Sequence, residues 1–292
     1  MVLVVVSVTW GLIRLAPGNF YTGEKPLPPA IEKNIRERYG LDKPWYVQYG
    51  KTISSTLRGD FGLSLRYQGQ PVNTILKQAV PVSVALGLTA YLLALAVGIV
   101  AGTYAALHQN KRLDYMSMAL AMLGISIPNF VLGPTLVLLF GLTWYVLPPA
   151  RWEGFGVYMI MPVLTLSAIY MAYIARLTRS GMLEVLRSNY IRTARAKGLP
   201  ERQILWRHAM RGGLLPVVSF IGPAISGLIT GSLVVETIFQ IPGLGRFFVL
   251  AGLNRDVTML MGTVLFYSVL IIVLNLMVDI VQVWMNPKLR FE

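Results

Sequence analysis

Cysteine is absent from the 292 residues, histidine occurs only as His108 and His208, and acidic residues number 13. Without cysteine there are no disulfides, thiolate metal sites or cysteine nucleophiles, and two histidines are too few for an imidazole metal cluster. Charge as a whole is scarce. Charged residues make up 13% of the chain, where soluble domains carry about 25%, while 55% are hydrophobic and the mean hydropathy is +0.59. Such an apolar surplus exceeds what one core of this length buries, so a lipid bilayer is the solvent that fits. There is no G-x-x-x-x-G-K-[ST] phosphate loop either, so the chain does not cradle a nucleotide by itself. The charge that is present leans basic, with 26 Lys and Arg against 13 acids. In a membrane chain that excess reports first on sidedness.

Five long uncharged runs stand out, at residues 78–110, 115–150, 154–175, 212–235 and 257–278. Each has the roughly 20 apolar residues needed to cross about 30 Å of hydrocarbon. Residues 1–16 are apolar apart from Arg14 and lack the basic flank and small-residue cleavage site of a signal peptide. They read as a first span whose beginning is missing. The fold class expected is therefore all-α, a polytopic membrane protein with six transmembrane helices in a single domain over 1–292. No internal repeat or low-complexity tract divides it.

Lys and Arg beside short loops set orientation. The loop over 176–211 holds nine basic residues against Glu184 and Glu201, so it is expected in the cytoplasm. Parity then places Lys111, Arg112, Lys288 and Arg290 on the same side, with both termini in the cytoplasm. The segment 17–77 falls outside despite nine basic residues; it also carries five acids, and the rule is weak at about 60 residues. Its proline-rich start (Pro26, Pro28, Pro29) precedes Ala30 to Tyr39, which reads as a short solvent-facing helix ended by Gly40. The segment is either a solvated linker or a small folded cap beside a pore entrance.

Within the runs, Ser126-Ile127-Pro128-Asn129 breaks the regular pattern. Proline removes a backbone hydrogen bond there, and Asn129 needs polar partners, so a kink or unwound turn is expected. Ser126 and Asn129 are candidate pathway residues, weighed against a plain helix bend. Asp279 is the acid at a span end and is expected to face water or a basic group, which gives no midplane proton carrier. Glu236 closes the fifth run and precedes a Pro242-Gly243-Leu244-Gly245 turn with Phe247 and Phe248, read as a short structural element at the interface.

The cytoplasmic loop, taken over 186–212, carries a definite grammar. Asn189 suits an N-cap, residues 190–197 suit two helical turns, Gly198 a left-handed C-cap and Pro200 the first turn of a following helix. A helix-turn-helix that reads DNA shares this outline but fails on reach, because the flanking spans tether it to the membrane; no nucleic acid is expected. A short rigid helix docking a soluble partner explains both charge and capping, where a solvated loop explains only charge.

Arg192-Thr193-Ala194-Arg195-Ala196-Lys197-Gly198, continuing through Arg207 to Arg211 and Leu214-Leu215-Pro216, resembles the cytoplasmic coupling motif of the membrane subunits of binding-protein-dependent ABC importers. Relative to the general motif, Arg192 and Thr193 replace Glu and Ala, and His208 to Arg211 replace Ile-x-Leu-Pro; both departures are usual in the peptide branch. Leu15-Ala16-Pro17-Gly18, Gly59-Asp60-Phe61-Gly62, Ser126 to Phe130 and Glu236 to Gly245 extend the likeness to the B-type inner-membrane subunits of oligopeptide permeases. Tyr21-Thr22-Gly23-Glu24 with Leu27-Pro28-Pro29 favours oligopeptide over dipeptide, nickel or glutathione relatives. The family's basic N-terminal tail is absent here.

The resemblance implies a type I permease bundle that pairs with a second, homologous permease subunit, two cytoplasmic ATPase subunits that bind ATP and Mg, and an external peptide-binding protein. It implies ATPase-coupling roles for Arg192, Thr193, Ala194, Arg195, Ala196, Lys197, Gly198, Leu199 and Pro200. The chain itself is expected to hold no cofactor or metal and to catalyse nothing; peptide crosses by alternating access. An ion-coupled secondary transporter is the rival, and it needs intramembrane ion ligands or matched broken helices. A membrane-embedded enzyme is the remaining class, and it lacks paired acids, a histidine cluster or an activated nucleophile.

Overall fold

The computed structural model describes residues 2–15, 42–64, 66–67, 69–254 and 256–285. These are almost entirely helical: α1 (Val2–Leu15), α2 (Trp45–Leu57), α3 (Val72–Leu107), α4 (Arg112–Ser126), α5 (Asn129–Leu136, continued by a π-helical Val137–Thr143), α6 (Val157–Leu186), α7 (Asn189–Ala196), α8 (Glu201–Gln203, continued through a π-helical Ile204–Ala209 to Met210–Gly213), α9 (Leu215–Ser219), α10 (Ile221–Ile238), α11 (Leu244–Leu253) and α12 (Val257–Met285). Among the described residues the only β feature is an isolated bridge, Leu63 to Pro71.

Among the described residues three helices are long and apolar enough to cross a membrane, Val72–Leu107, Val157–Leu186 and Val257–Met277. The 115–150 run, expected to carry a kink or unwound turn at Ser126 to Asn129, is α4 and α5 bent by 101° at that point, a fourth span if the pair is counted as one. The cause is local. Pro128 (φ −63°, ψ 146°) cannot continue α4, and Ile127 before it is extended (φ −93°, ψ 113°), as a residue preceding proline prefers to be. The 212–235 run breaks at Leu214 and Phe220 and then continues past its expected end to Ile238.

The chain divides into two compact units, Met1–Ser83 with Ile241–Val273, and Val84–Gln240 with Leu274–Glu292. In the first, Val72, Ile75, Leu76 and Ala79 of α3 pack with Leu244, Ala251 and Met259, flanked by Phe61, Tyr67 and Phe247. The described part of the 17–77 segment thus packs against α3, α11 and α12 through Phe61 and Tyr67, while Ala30 to Tyr39 lies outside the described residues. Asp60 accepts from Gly62 N at 2.9 Å and Asn73 Oδ1 from Phe61 N at 3.1 Å. Asp256, 1% exposed, caps α12 by accepting from Met259 N at 3.1 Å, and it accepts from the Ser64 hydroxyl and from Arg66 N of the loop. Pro242 and Gly243 lead into α11, with Leu244 and Gly245 buried, in keeping with a structural element there.

In the second unit α6 is the central helix. It buries half of its most apolar window, against 22% for α3. Small residues let neighbours approach backbone to backbone, as in membrane helix packing generally. A Cβ at Gly102 of α3 would lie 2.4 Å from the Ala175 carbonyl oxygen, one at Gly124 of α4 would lie 3.1 Å from that of Ala168, and one at Gly181 of α6 would lie 2.2 Å from that of Gly213. Glu236, expected to close a span, lies in the last turn of α10 and is fully buried.

Candidate functional site

α7 sits between a serine-capped joint and a glycine-dependent one, and the residues on each side of it explain its pose. Its N-cap is Ser188, extended at φ −68° and ψ 155°, one residue earlier than the sequence indicates. Along α7, Ile191 and Ala194 are buried against Met182 of α6, Ala106 of α3 and Ile204 and Ala209 of α8. The spacing of three is one helical turn, so a single edge of α7 faces inward. Arg192, Thr193, Arg195, Ala196 and Lys197 are exposed. An amphipathic helix of two turns is too short to hold itself together in water; burial of this edge is what fixes it.

The C-terminus of α7 closes in a Schellman motif. Gly198, at φ +75°, donates its N–H to the Arg195 carbonyl at 2.9 Å, and Leu199 donates to that of Ala194 at 3.3 Å. These are the two bonds the motif requires, and a left-handed residue at this position is the reason for glycine. Leu199 adds the usual apolar contact by packing beside Ala194. Pro200 (φ −64°, ψ 142°) is the N-cap of α8 and lies outside the first helical turn assigned to it from sequence. Across the turn Arg195 clamps Glu201, Nε to Oε1 at 2.7 Å and Nη2 to Oε2 at 3.3 Å. This hydrogen-bonded guanidinium holds the Glu201 carboxyl below its ordinary range. Both groups are well exposed, so the pair orients the turn more than it stabilises it.

Ser126 and Asn129 flank the 101° break. Ser126 spends its hydroxyl on the Met122 carbonyl of its own helix at 2.8 Å, and Asn129 begins α5 half-buried. The two stand on either side of the bend, at a distance from α7 along the chain. Asp279 is exposed.

Sequence reasoning missed Asp114. It is 2% exposed in the first turn of α4, and its carboxylate accepts two hydrogen bonds from Arg179 of α6, at 2.6 Å from Nε and 2.7 Å from Nη2. Asn110 N adds a third at 3.0 Å. Beside it, Arg187 donates to Gln109 at 3.0 Å. The available signal was a lone acid in an otherwise basic connection. Among the described residues, no three His, Asp or Glu side chains gather as a metal site requires.

Residues 98–291, which include all of the α7 region, match the family of binding-protein-dependent transport system inner membrane components. The chain is 44% identical over 289 residues to the oligopeptide transport system permease protein OppB of Haemophilus influenzae, covering 99% of this chain and 94% of that protein. It is 41% identical over 291 residues to the dipeptide transport system permease protein DppB of Bacillus subtilis, covering 100% and 94%. Among solved structures, the MetNI methionine ABC transporter in an inward-facing conformation shares the fold, with a TM-score of 0.64 at 16% identity over 75% of this chain and 100% of that one. By these likenesses, and by the helical fold on which they fall, the chain belongs to the binding-protein-dependent transport system inner membrane component family.

Proposed function

We propose that this chain is one of two membrane-spanning subunits of an ATP-driven importer that passes oligopeptides across the bacterial inner membrane by alternating access. Residues 1–292 act as one permease domain of six crossings with both termini inside, and 186–212 form its cytoplasmic coupling loop. The observation that carries the reading is α7 itself. Its apolar edge is locked onto α6 and α8 while Arg192, Thr193, Arg195, Ala196 and Lys197 project outward. A helix held this rigidly transmits a push without absorbing it, which suits a surface on which a cytoplasmic ATPase bears. Gly198, Leu199 and Pro200 fix its angle to α8, and ATP with Mg binds on the partner subunits. An external binding protein delivers the peptide, and the break at Ser126 to Asn129 lies on its path.

The oligopeptide reading rests on relatives 44% identical; dipeptide relatives at 41% make the alternative. Reconstitution in lipid vesicles with a second permease subunit, ATPase subunits and the binding protein tests both. Labelled pentapeptide should accumulate on addition of ATP, in preference to dipeptide and without response to an imposed proton gradient. Proton-driven accumulation by the isolated chain would restore the secondary-transporter alternative.

A further inference from the structure

The connection between α3 and α4 is held by α6 at two points. Arg179 takes Asp114 in a two-pronged grip, and Arg187 reaches Gln109. The two arginines are eight residues apart on the sequence, about 12 Å along a helix. Arg187 stands at the C-terminal cap of α6, two residues before α7 begins. Asn110 completes the grip by turning through a left-handed conformation, φ +61°, which aims its N–H at the Asp114 carboxylate. At its far end α4 stops at Ser126, directly before the 101° break.

α4 is therefore a straight lever of 15 residues, about 22 Å long. One end is tied to the helix that feeds α7, and the other meets the bend. Elsewhere α4 packs closely along α6, as where Gly124 meets the Ala168 backbone. A forked guanidinium-carboxylate pair fixes direction as well as distance. Replacing such a pair with well-packed apolar groups is often neutral or favourable for stability, so an ion pair here serves direction better than it serves folding.

We propose that Asp114 and Arg179 are the positioning pair through which movement of α7, delivered along the end of α6, reaches the break at Ile127-Pro128. This rests on the importer reading given above. Without the pair, the ATPases cycle while the bend no longer follows.

The test uses the assembled importer in vesicles, reading peptide accumulated per ATP hydrolysed, with spin labels at Leu120→Cys and Phe130→Cys to report the distance across the break. Both sites are exposed, at 67% and 64%, and the chain has no native cysteine to compete. Asp114→Asn keeps the shape and removes the charge. It should lower peptide per ATP by about tenfold, inside the range typical of coupling between sites, with hydrolysis at the wild-type rate. The nucleotide-dependent change in label distance should disappear. Arg179→Lys, which keeps the charge but loses the fork, should fall between. Unchanged stoichiometry in Asp114→Asn would overturn the proposal. So would a parallel fall of hydrolysis and uptake, a label distance that still responds, or failure of Asp114→Asn to assemble, since each assigns the pair a merely structural part. If the wild-type complex itself takes up no peptide on ATP, the importer reading fails instead.

Discussion

Substitution of Gly198 separates backbone conformation from crowding, because the structure makes the two independent at this position. Gly198 lies at φ +75°, and a Cβ built there meets nothing within 4 Å. Any loss on substitution must then come from the left-handed backbone alone. For an ordinary L-residue that conformation costs about 1–2 kcal/mol, more for a β-branched one, whereas asparagine visits it readily. About 1.4 kcal/mol is a factor of ten in an equilibrium constant, so Gly198→Val should lower the ratio of closed to open turn by about tenfold, if nothing else held it. Burial of Ile191, Ala194 and Leu199 opposes the opening, which makes tenfold an upper expectation. We expect ATP-driven peptide uptake to rank glycine equal to asparagine, then alanine, then valine, at equal abundance of inserted protein, since the long helices are untouched. The assay is uptake into vesicles holding the assembled importer, normalised to the amount of this chain. Wild-type uptake by Gly198→Val would refute a coupling role for the turn. Uptake by Gly198→Asn as poor as by Gly198→Val would refute the conformational argument.

Gly181→Ala should behave in the opposite manner: its Cβ would stand 2.2 Å from the Gly213 carbonyl oxygen, and forcing the two helices apart should cost 1–3 kcal/mol or more, seen as a lower melting temperature in detergent. The Arg195–Glu201 clamp should contribute under about 1 kcal/mol at low salt. Because the folded carboxyl sits below its ordinary value of 4.5, that contribution is full above 4.5 and is lost as pH falls through the lower folded value. The stability difference between wild type and Glu201→Gln should therefore be present at pH 7, close under strong acid and shrink in high salt. Asp256→Ala should cost about 1–2 kcal/mol through loss of the α12 cap and should raise protease sensitivity within residues 59–71, where Ser64 and Arg66 lose their acceptor. For topology, Lys51→Cys and Lys197→Cys should react with an impermeant thiol reagent from opposite faces of the membrane; reaction of both from outside would overturn the assigned parity.

Runs without charge located α3, α6 and α12 because lipid exposure and span length are properties of the run itself, independent of its neighbours. The same criterion could not read the 115–150 run. Pro128 announces a broken hydrogen bond, but the angle depends on what the freed segment packs against, and 101° reflects contacts such as Gly133 of α5 against Phe239 and Thr165. Glu236 stands in the last turn of α10, close to the span end read for it, but its enclosure was not legible: a charge can be enclosed when protein surrounds it, and Glu236 is fully buried. Lengths and polarities are local, whereas bends and enclosures are set by partners from distant sequence.

The turn after α7 was legible because its determinants lie within twelve residues: Asn189, Gly198 and Pro200 suffice to mark a short helix, its left-handed closure and the start of the next helix, whereas the inward edge of Ile191 and Ala194 shows only in the packing. The Asp114–Arg179 pair was not, since its partners are separated by 65 positions and each alone resembles an ordinary loop charge. The two features differ in where their determinants lie: the ends of α7 are capped locally, while its pose also needs burial against Ala106, Met182, Ile204 and Ala209. The Asp114–Arg179 pair joins segments remote in sequence, and such a joint shows only when the fold brings an acid and an arginine to the same place and excludes water from the acid.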